Sequence, residues 1–293
     1  MYRNTFLSVM FLACCFNGSL CAQSDAQIYE RTCDAKTYPF SDPSPVATPN
    51  NSYYPYFRFD GFSMQAQEKQ WKMVVLENDY VKLTVTPEIG GKIWGAIDKV
   101  NNKEFVYTNG VVKFRDVAMR GPWTSGGIEF NFGIIGHAPT CSTPIDYLTK
   151  KNVDGSVSCH IFSYEWITRT VWNVEISLPK DKAYFTTHTT WFNQSSIDQP
   201  YYQWMNAGYA TKTGTRFYYP GTYSRGHSGD LHPYPIDEEG RDVSWYDNNN
   251  FGASKSLHII GDYNDYFGIY WHNEKHGSAH YSNYDEKLGM KFY

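Results

Sequence analysis

Apolar and polar side chains alternate along most of the chain from about residue 71 onward. The alternation is strict over residues 81–86 and again over residues 128–132. Because successive side chains of a strand point to opposite faces, a period of two predicts half-buried β-strands. Further strands are predicted at residues 72–76, 92–98, 104–108, 157–174, 183–192, 200–210, 255–260 and 266–271.

Turn residues separate the predicted strands at short intervals. Asn78-Asp79, Gly90-Gly91 and residues 101–103 are turns of this kind, and Pro87 ends the strand before it. No stretch has the periodicity of an amphipathic helix of three turns. Short strands joined by turns predict an all-β, antiparallel β-sandwich.

The composition agrees with a large β domain. The chain has 293 residues, enough for one large all-β domain or two small ones. Aromatic residues make up 18%, with 25 Tyr, 18 Phe and 9 Trp. Rings of this kind favour strands and can also stack on sugars, although most are expected in the core. The net charge of −4 and the lack of a basic run argue against nucleic acid and anionic membranes as partners.

The N-terminal residues have the pattern of a secretory signal. Residues 6–16 are apolar after a basic residue, and Leu20-Cys21-Ala22 is a tolerable cleavage site. This pattern predicts a secreted or periplasmic protein. Phe11-Leu12-Ala13-Cys14 is a weak lipoprotein box, so a lipid anchor stays open as an alternative. The predicted organisation is a signal peptide at 1–22, an extended Pro- and Ser-rich leader at 23–56 and a β domain at 57–293.

Three cysteines lie after the predicted signal. Their number allows one internal disulfide, and Cys141–Cys159 is the favoured pair because Cys33 lies in the leader. Their separation fits no zinc site, and no metal or cofactor is predicted. His272, His276 and His280 would share a face only on a helix, which Gly277 would break. Phosphate-loop, nucleophile-elbow and EF-hand motifs are also missing from the sequence, although a calcium ion in a loop stays open.

The stretch 120–137 is the first candidate site. In the predicted strand, Ile128, Phe130 and Phe132 face a core, whereas Glu129 and Asn131 face a cleft or solvent. The surrounding glycines are expected to let a ligand approach the backbone closely. Arg120, Trp123 and His137 flank the strand and add groups that hydrogen-bond or stack on a sugar. The alternative is an edge strand with a solvated Glu.

The region 213–250 is the second candidate. It is rich in Gly and Pro, and a long polar and aromatic loop on a β domain is typical of function. It contributes Asp242 as a second acid or base and His227 as a group for proton transfer. Trp245 and Tyr246 are predicted to face the same cleft as Glu129.

Four sequence blocks carry a resemblance to a known family. They are Glu77–Val81 leading into Thr86–Trp94, Gly126–Gly133, Trp204–Ala207, and His227–Gly229 together with Asp242–Tyr246. From about residue 57 to the end, the chain resembles a bacterial domain family of unknown function that often occurs with tetratricopeptide repeats. That family has a galactose-mutarotase-like fold, which it shares with aldose 1-epimerases and several glycoside hydrolases.

The resemblance implies an antiparallel β-supersandwich with a carbohydrate in a cleft on one sheet. Members of the family are longer than this chain, and after the position of Tyr293 they continue with a Trp-Gly segment and an acidic strand. In aldose 1-epimerases the catalytic carboxylate also comes late. The resemblance therefore implies a C-terminally incomplete domain, with a catalytic group beyond Tyr293.

The predicted function is carbohydrate binding with glycoside processing, either hydrolase-like or epimerase-like. Such reactions need an acid and a base, or two carboxylates. The alternatives are a non-catalytic carbohydrate-binding module and an inactive truncated fragment; the oligomeric state is left open. The predicted catalytic residues are Glu129, Asp242 and His227, and the predicted substrate-binding residues are Arg120, Trp123, Asn131, His137, Asn206, Trp245 and Tyr246.

Overall fold

The computed structural model of the protein describes nine segments of the chain. These are residues 24–40, 61–116, 122–133, 137–166, 168–200, 202–251, 256–261, 265–283 and 289–293. The predicted signal peptide lies outside them.

Strands dominate the described residues, and the helical elements among them are three short 3-10 turns. The first strands are β1 (Gln27–Tyr38), β2 (Gln67–Glu77), β3 (Val81–Thr86), β4 (Lys92–Asp98), β5 (Lys103–Val106), β6 (Val112–Lys113), β7 (Arg115–Asp116), β8 (Pro122–Trp123), β9 (Ile128–Asn131), β10 (Asp146–Lys151) and β11 (Val157–Glu165). The remaining strands are β12 (Thr170–Leu178), β13 (Thr186–Asn193), β14 (Trp204–Ala207), β15 (Thr215–Tyr218), β16 (Tyr223–Arg225), β17 (Leu231–Pro233), β18 (Leu257–Ile260), β19 (Tyr266–Trp271), β20 (His276–Tyr281) and β21 (Met290–Phe292). The 3-10 turns are Pro139–Ser142, Tyr246–Asn248 and His272–Glu274.

Two sheets form an all-β sandwich, as the alternation predicted. The large sheet has the order β14-β9-β4-β3-β2-β1-β6, with β5 beside β4, and the second sheet has the order β10-β11-β12-β13. Among the described strands, pairs are antiparallel apart from the short β1–β6 contact. The core between the sheets combines Leu83, Ile93 and Phe130 of the large sheet with Trp172 and Ile176 of the second. One face of the large sheet is thereby fixed against the sandwich core, and its other face holds the candidate site.

Asn78 ties the two sheets together at the β2–β3 turn. Its Oδ1 accepts the backbone N–H groups of Tyr80 and Val81, at 2.8 and 2.7 Å. Its Nδ2 donates to the carbonyls of Pro179 and Lys182 beyond β12, at 2.7 and 2.8 Å. The side chain is buried, and all of these bonds replace water.

Two smaller sheets follow the sandwich in the chain. Their orders are β15-β19-β20 and β17-β16-β18-β21. Tyr234, Val243, Ile259 and Met290 form their apolar core. The region 213–250, predicted as a loop, therefore also contributes the short strands β15, β16 and β17.

The predicted leader is part of the domain over much of its length. Strand β1 lies inside residues 23–56 and pairs with β2 continuously from Gln27 opposite Glu77 to Thr37 opposite Gln67. This part of the predicted leader is extended, as expected, and it is a strand of the large sheet. Residues 41–60 lie outside the described part of the chain.

Two predictions were wrong. Residues 157–174 form a hairpin of β11 and β12 and not one strand, and Arg169 turns the chain in the left-handed region with φ 56°. Cys141 and Cys159 form no disulfide; both are free thiols, and Cys159 lies in the sandwich core. Burial raises the pKa of Cys159 to about 12.

In the described segments, no helix has the length and apolar character needed to cross a membrane. Those same segments contain no group of three or more metal-binding side chains. His272 starts a 3-10 turn, whereas His276 and His280 lie in β20.

Candidate functional site

Strand β9 divides its side chains between the two faces of the large sheet. Ile128 and Phe130 join the sandwich core, as predicted, and Glu129 and Asn131 point to the other face. Those two polar residues are buried, with exposures of 1% and 0%. The alternative of an edge strand with a solvated Glu was wrong, because β9 pairs with both β14 and β4 and further side chains cover this face.

Glu129 is the centre of a hydrogen-bonded cluster. Its Oε1 lies 2.6 Å from Nδ1 of His137 and accepts a bond of 3.0 Å from Nδ2 of Asn131. Oδ1 of Asn131 in turn accepts the backbone N–H of Ala138 at 2.8 Å. The second oxygen of Glu129, Oε2, is buried and has no hydrogen-bond partner among the described residues. A buried oxygen without a partner is unfavourable, so this atom marks a place for a donor.

His137 reaches Glu129 because the backbone reverses at this position. Its φ of 52° lies in the left-handed region, and the 3-10 turn Pro139–Ser142 follows directly. The hydrogen bond from the backbone N–H of Ala138 to Asn131 holds the chain after this reversal against β9. About a fifth of the His137 side chain is exposed, so the cluster reaches solvent at this ring.

Lys92 is a buried ammonium group on the same face. It begins β4, is 1% exposed, and donates through Nζ to the carbonyl oxygen and Oγ1 of Thr124 at 2.5 and 3.2 Å. Its Nζ lies 5.9 and 6.0 Å from the ring centroids of Trp94 and Trp123, within cation–π range. A charge this deep needs an opposite charge nearby.

Glu129 supplies that charge. Burial alone would raise the pKa of Glu129, but the hydrogen bond and charge of His137, the charge of Lys92 and the amide of Asn131 hold it below its ordinary value of 4.5. Burial lowers the pKa of Lys92, and the charge of Glu129 opposes that shift. Glu129 is therefore an anion at neutral pH, and its chemistry is that of a base.

Two indole rings border the cluster. Trp204 lies opposite Asn131 in the β14–β9 pair, and its ring centroid is 4.8 Å from that of His137. Trp123 lies 5.9 Å from His137 on another side. The Nε1 atoms of both indoles are buried without partners in the part of the chain that the structure describes. Two donors and one acceptor are thus unpaired around a single imidazole.

The glycines next to β9 let the backbone pack closely. A Cβ on Gly127, which has φ 64°, would lie 2.3 Å from the carbonyl oxygen of Ile93. A Cβ on Gly208 would lie 2.8 Å from Cα of Gly126. Gly126 and Gly127 thus let neighbouring backbone segments approach one another, and the close approach of a ligand stays a prediction.

The structure brings together part of the predicted site. Asn206 lies opposite Glu129 in the β14–β9 pair, so its side chain shares the face with Glu129, Asn131, Trp123 and His137. Arg120 lies outside the described residues.

The residues predicted from the region 213–250 lie elsewhere. Asp242 accepts bonds from Ser244, and its Oδ2 is 3.9 Å from the guanidinium of Arg216. Trp245 forms a β-bridge with Arg216, and Tyr246 is exposed in a 3-10 turn.

His227 is exposed beside His258, and the charge of Lys291 together with slight burial lowers its pKa. None of the contacts found among described residues joins Asp242, His227, Trp245 or Tyr246 to Glu129. The prediction that they face the same cleft as Glu129 has no support in these contacts.

Sequence reasoning missed Lys92 and Trp204 as site residues. Lys92 follows Gly90-Gly91 and starts an apolar strand, where a Lys is unusual. Trp204 alternates with Met205, which packs on the sandwich core, so the period of two already placed Trp204 on the opposite face.

Comparison with known proteins gives a family match and similar solved structures. A family model described as a domain of unknown function, DUF5107, matches residues 48–293. The chain is similar in structure to a TPR-domain containing protein from Parabacteroides distasonis ATCC 8503, with a TM-score of 0.77 and 23% identity over 89% of this chain and 45% of that one. It also resembles the Slr1438 protein from Synechocystis sp. PCC 6803, with a TM-score of 0.48 and 11% identity over 68% of this chain and 72% of that one.

This chain spans less than half the length of the Parabacteroides protein. The predicted resemblance to a bacterial family of unknown function is confirmed by the family match. Since the match covers most of the chain, the protein belongs to the DUF5107 family of domains of unknown function.

Proposed function

We propose that this protein is a carbohydrate-processing domain of galactose-mutarotase-like fold, acting in the periplasm or outside the cell, with Glu129 as its base. The observation that carries the proposal is the unpaired Oε2 of Glu129 beside His137, with the unpaired N–H groups of Trp123 and Trp204 around it. A sugar offers both hydroxyl donors and oxygen acceptors on one small ring. Such a ligand can donate to an unpaired acceptor such as Oε2 and accept from unpaired donors such as the indole N–H groups.

The arrangement favours proton transfer at an anomeric centre. Glu129 Oε2 accepts the proton of the anomeric hydroxyl, and protonated His137 donates from Nε2 to the ring oxygen. The ring bond to the anomeric carbon then breaks and leaves an open-chain aldehyde. Closure on the other face of the carbonyl returns both protons and gives the other anomer.

Lys92 and Asn131 stabilise the anionic form of Glu129 that this reaction needs. Asn131 donates to Oε1, and Lys92 supplies a positive charge that solvent does not screen. Trp204 and Trp123 offer rings and N–H groups to hold the sugar.

A second candidate is a carbohydrate-binding module without turnover. The observation that favours it is the completeness of the network on Oε1, where His137 and Asn131 already bind. In this case Glu129 only accepts a hydrogen bond from a hydroxyl group of the ligand.

Polarimetry of freshly dissolved α-D-glucose, α-D-galactose and α-D-xylose tests the proposal. We expect the protein to accelerate mutarotation of at least one sugar, and Glu129→Gln to abolish the acceleration while the sugar still binds. Glu175→Gln is the matched control, because Glu175 also faces a histidine, with His160 Nε2 at 3.7 Å, but lies in the second sheet.

Three outcomes separate the candidates. If the protein accelerates mutarotation, and Glu129→Gln removes the acceleration but Glu175→Gln does not, Glu129 is supported as the base. Binding measured by tryptophan fluorescence, without acceleration of any of the three sugars, favours the binding module. Equal activity of Glu129→Gln and the unchanged protein would remove Glu129 from the mechanism.

A further inference from the structure

One face of the β15-β19-β20 sheet is covered with aromatic side chains. Arg216 lies opposite Tyr270, and Tyr266 lies opposite Tyr281. Directly opposed residues of antiparallel strands share a face. Trp245 forms a β-bridge with Arg216 and so extends this face beyond β15. This surface, called the tyrosine face below, consists of Arg216, Tyr218, Trp245, Tyr266, Tyr270 and Tyr281.

The reverse of the same sheet carries the apolar core. Ile269 and Trp271 are each 4% exposed, and Phe217 stacks on Phe292 with ring centroids 4.6 Å apart. The tyrosine face points the other way, where Tyr218, Tyr266 and Tyr281 are 40%, 50% and 69% exposed. These rings are therefore displayed at the surface.

Small residues separate the rings. Gly268 lies opposite Tyr218 on one side and Ala279 on the other, so the middle row of the face has one ring only. In the next row the ring of Tyr270 lies over Gly277. A Cβ added to Gly277 would be 2.7 Å from Cδ2 of Tyr270. Small residues therefore lie between the rings. None of the strand positions on this face carries Leu, Ile, Val or Met.

Polar groups are fixed at one end of the face. Arg216 donates from Nε to Oγ of Ser244 at 3.3 Å, and its guanidinium carbon lies 5.2 and 5.1 Å from the ring centroids of Tyr218 and Trp245. The hydroxyl of Tyr218 lies 3.0 Å from Nε2 of His272. These contacts hold hydrogen-bonding groups next to the rings.

We propose that the tyrosine face binds an extended polysaccharide chain, as a second site separate from Glu129. The apolar C–H faces of sugar rings match the tyrosine rings, and their hydroxyl groups match the phenol and guanidinium edges. Tyr266 and Tyr270 are four residues apart on β19, a span of about 13 Å, which is longer than one sugar ring. The length of the row points to a polymer and not to a single sugar.

Affinity electrophoresis tests the second site. The protein is run in native gels that contain dissolved xylan, mixed-linkage β-glucan, galactomannan or polygalacturonate. We expect at least one polymer to retard it, and the triple variant Tyr218→Ala, Tyr266→Ala, Tyr281→Ala to weaken that binding about tenfold or more. The matched control removes three exposed tyrosines elsewhere, in the variant Tyr29→Ala, Tyr184→Ala, Tyr202→Ala, which are 42%, 53% and 51% exposed.

The result is independent of the proposed reaction. Glu129→Gln should be retarded like the unchanged protein, so failure of the mutarotase proposal leaves this one standing. Thermal unfolding checks that both triple variants fold. No retardation by any of the four polymers, or equal loss in both triple variants, would overturn the polysaccharide site. A change of oligomeric state in the face variant alone, seen by light scattering, would instead make the face a contact between copies of the protein.

Discussion

Glu129 and His137 are joined through Oε1 and Nδ1 at 2.6 Å, across a reversal of the backbone. An ionised carboxylate can only accept hydrogen bonds, so the proton between Oε1 and Nδ1 belongs to Nδ1 of the imidazole. The opposite nitrogen, Nε2, then points away from Glu129. The pair therefore offers a ligand two different atoms, a carboxylate oxygen and a ring nitrogen, in a fixed relation.

The stability of the protein should fall in acid partly because of Glu129. Its pKa in the folded protein lies below the ordinary value of 4.5. Such a group stabilises the fold fully above its unfolded pKa, and that contribution is lost as the pH falls through the folded pKa. Urea unfolding between pH 7 and pH 3 should show the advantage of the unchanged protein over Glu129→Gln shrinking from about pH 4.5 downward. If the difference in unfolding free energy between the two proteins stayed constant over this pH range, the link between Glu129 ionisation and stability would be contradicted.

Lys92 and Glu129 should be energetically coupled. Lys92→Met leaves Glu129 without its buried positive neighbour, and Glu129→Gln leaves Lys92 without its negative one, so each change should cost roughly 3 kcal/mol. The double variant removes both charges and should cost at least about 1 kcal/mol less than the sum. Urea unfolding of the unchanged protein, the two single variants and the double variant gives the free energies of this double-mutant cycle. Additive losses would show that the two charges do not stabilise each other.

Gly127 should tolerate no side chain. Its φ of 64° is unfavourable for Ala, and the added Cβ would lie 2.3 Å from the carbonyl oxygen of Ile93. We expect Gly127→Ala to yield little soluble protein. Gly240→Ala, at φ 79° with open space around it, should cost about 1–2 kcal/mol, and Gly110→Ala, also in open space, should be nearly neutral. The measurement is thermal unfolding; equal stability of all three would refute the close approach of β9 to β4.

Asn78 should be among the costliest polar side chains to remove. Asn78→Ala leaves two backbone N–H groups and two carbonyls without their partners, for an expected loss of roughly 3 kcal/mol. Asn101→Ala is the control, because Asn101 also bonds within a turn, to Asp98, but is exposed. Chemical unfolding compares the two. A similar, small loss in both would show that Asn78 does not join the sheets.

The sequence predicted the strands better than their surroundings. Alternation placed Phe130 in the core and Glu129 on the other face, because side-chain period is a local property. It could not show that Glu129 is covered, since His137, Lys92 and Trp204 reach it through turns and strand pairings distant in sequence. Burial of the second face is decided by tertiary packing.

Two errors have local causes. Arg169 turns the β11–β12 hairpin with φ 56° but is neither Gly nor Asn, so the turn carried no sequence signal. Asp242 and Trp245 were assigned to the Glu129 cleft because both segments are rich in polar and aromatic residues. Their partner is Arg216, and only the strand pairing of β15 reveals it.

Strand β1 has a practical consequence for anyone who prepares this domain. The family match starts at residue 48, yet β1 pairs with β2 from Gln27 to Thr37. A recombinant protein cut at the family boundary would carry a long row of exposed N–H and C=O groups along β2, the kind of edge that invites aggregation. Expression should therefore begin ahead of Gln27, even though sequence comparison alone would place the start some twenty residues later.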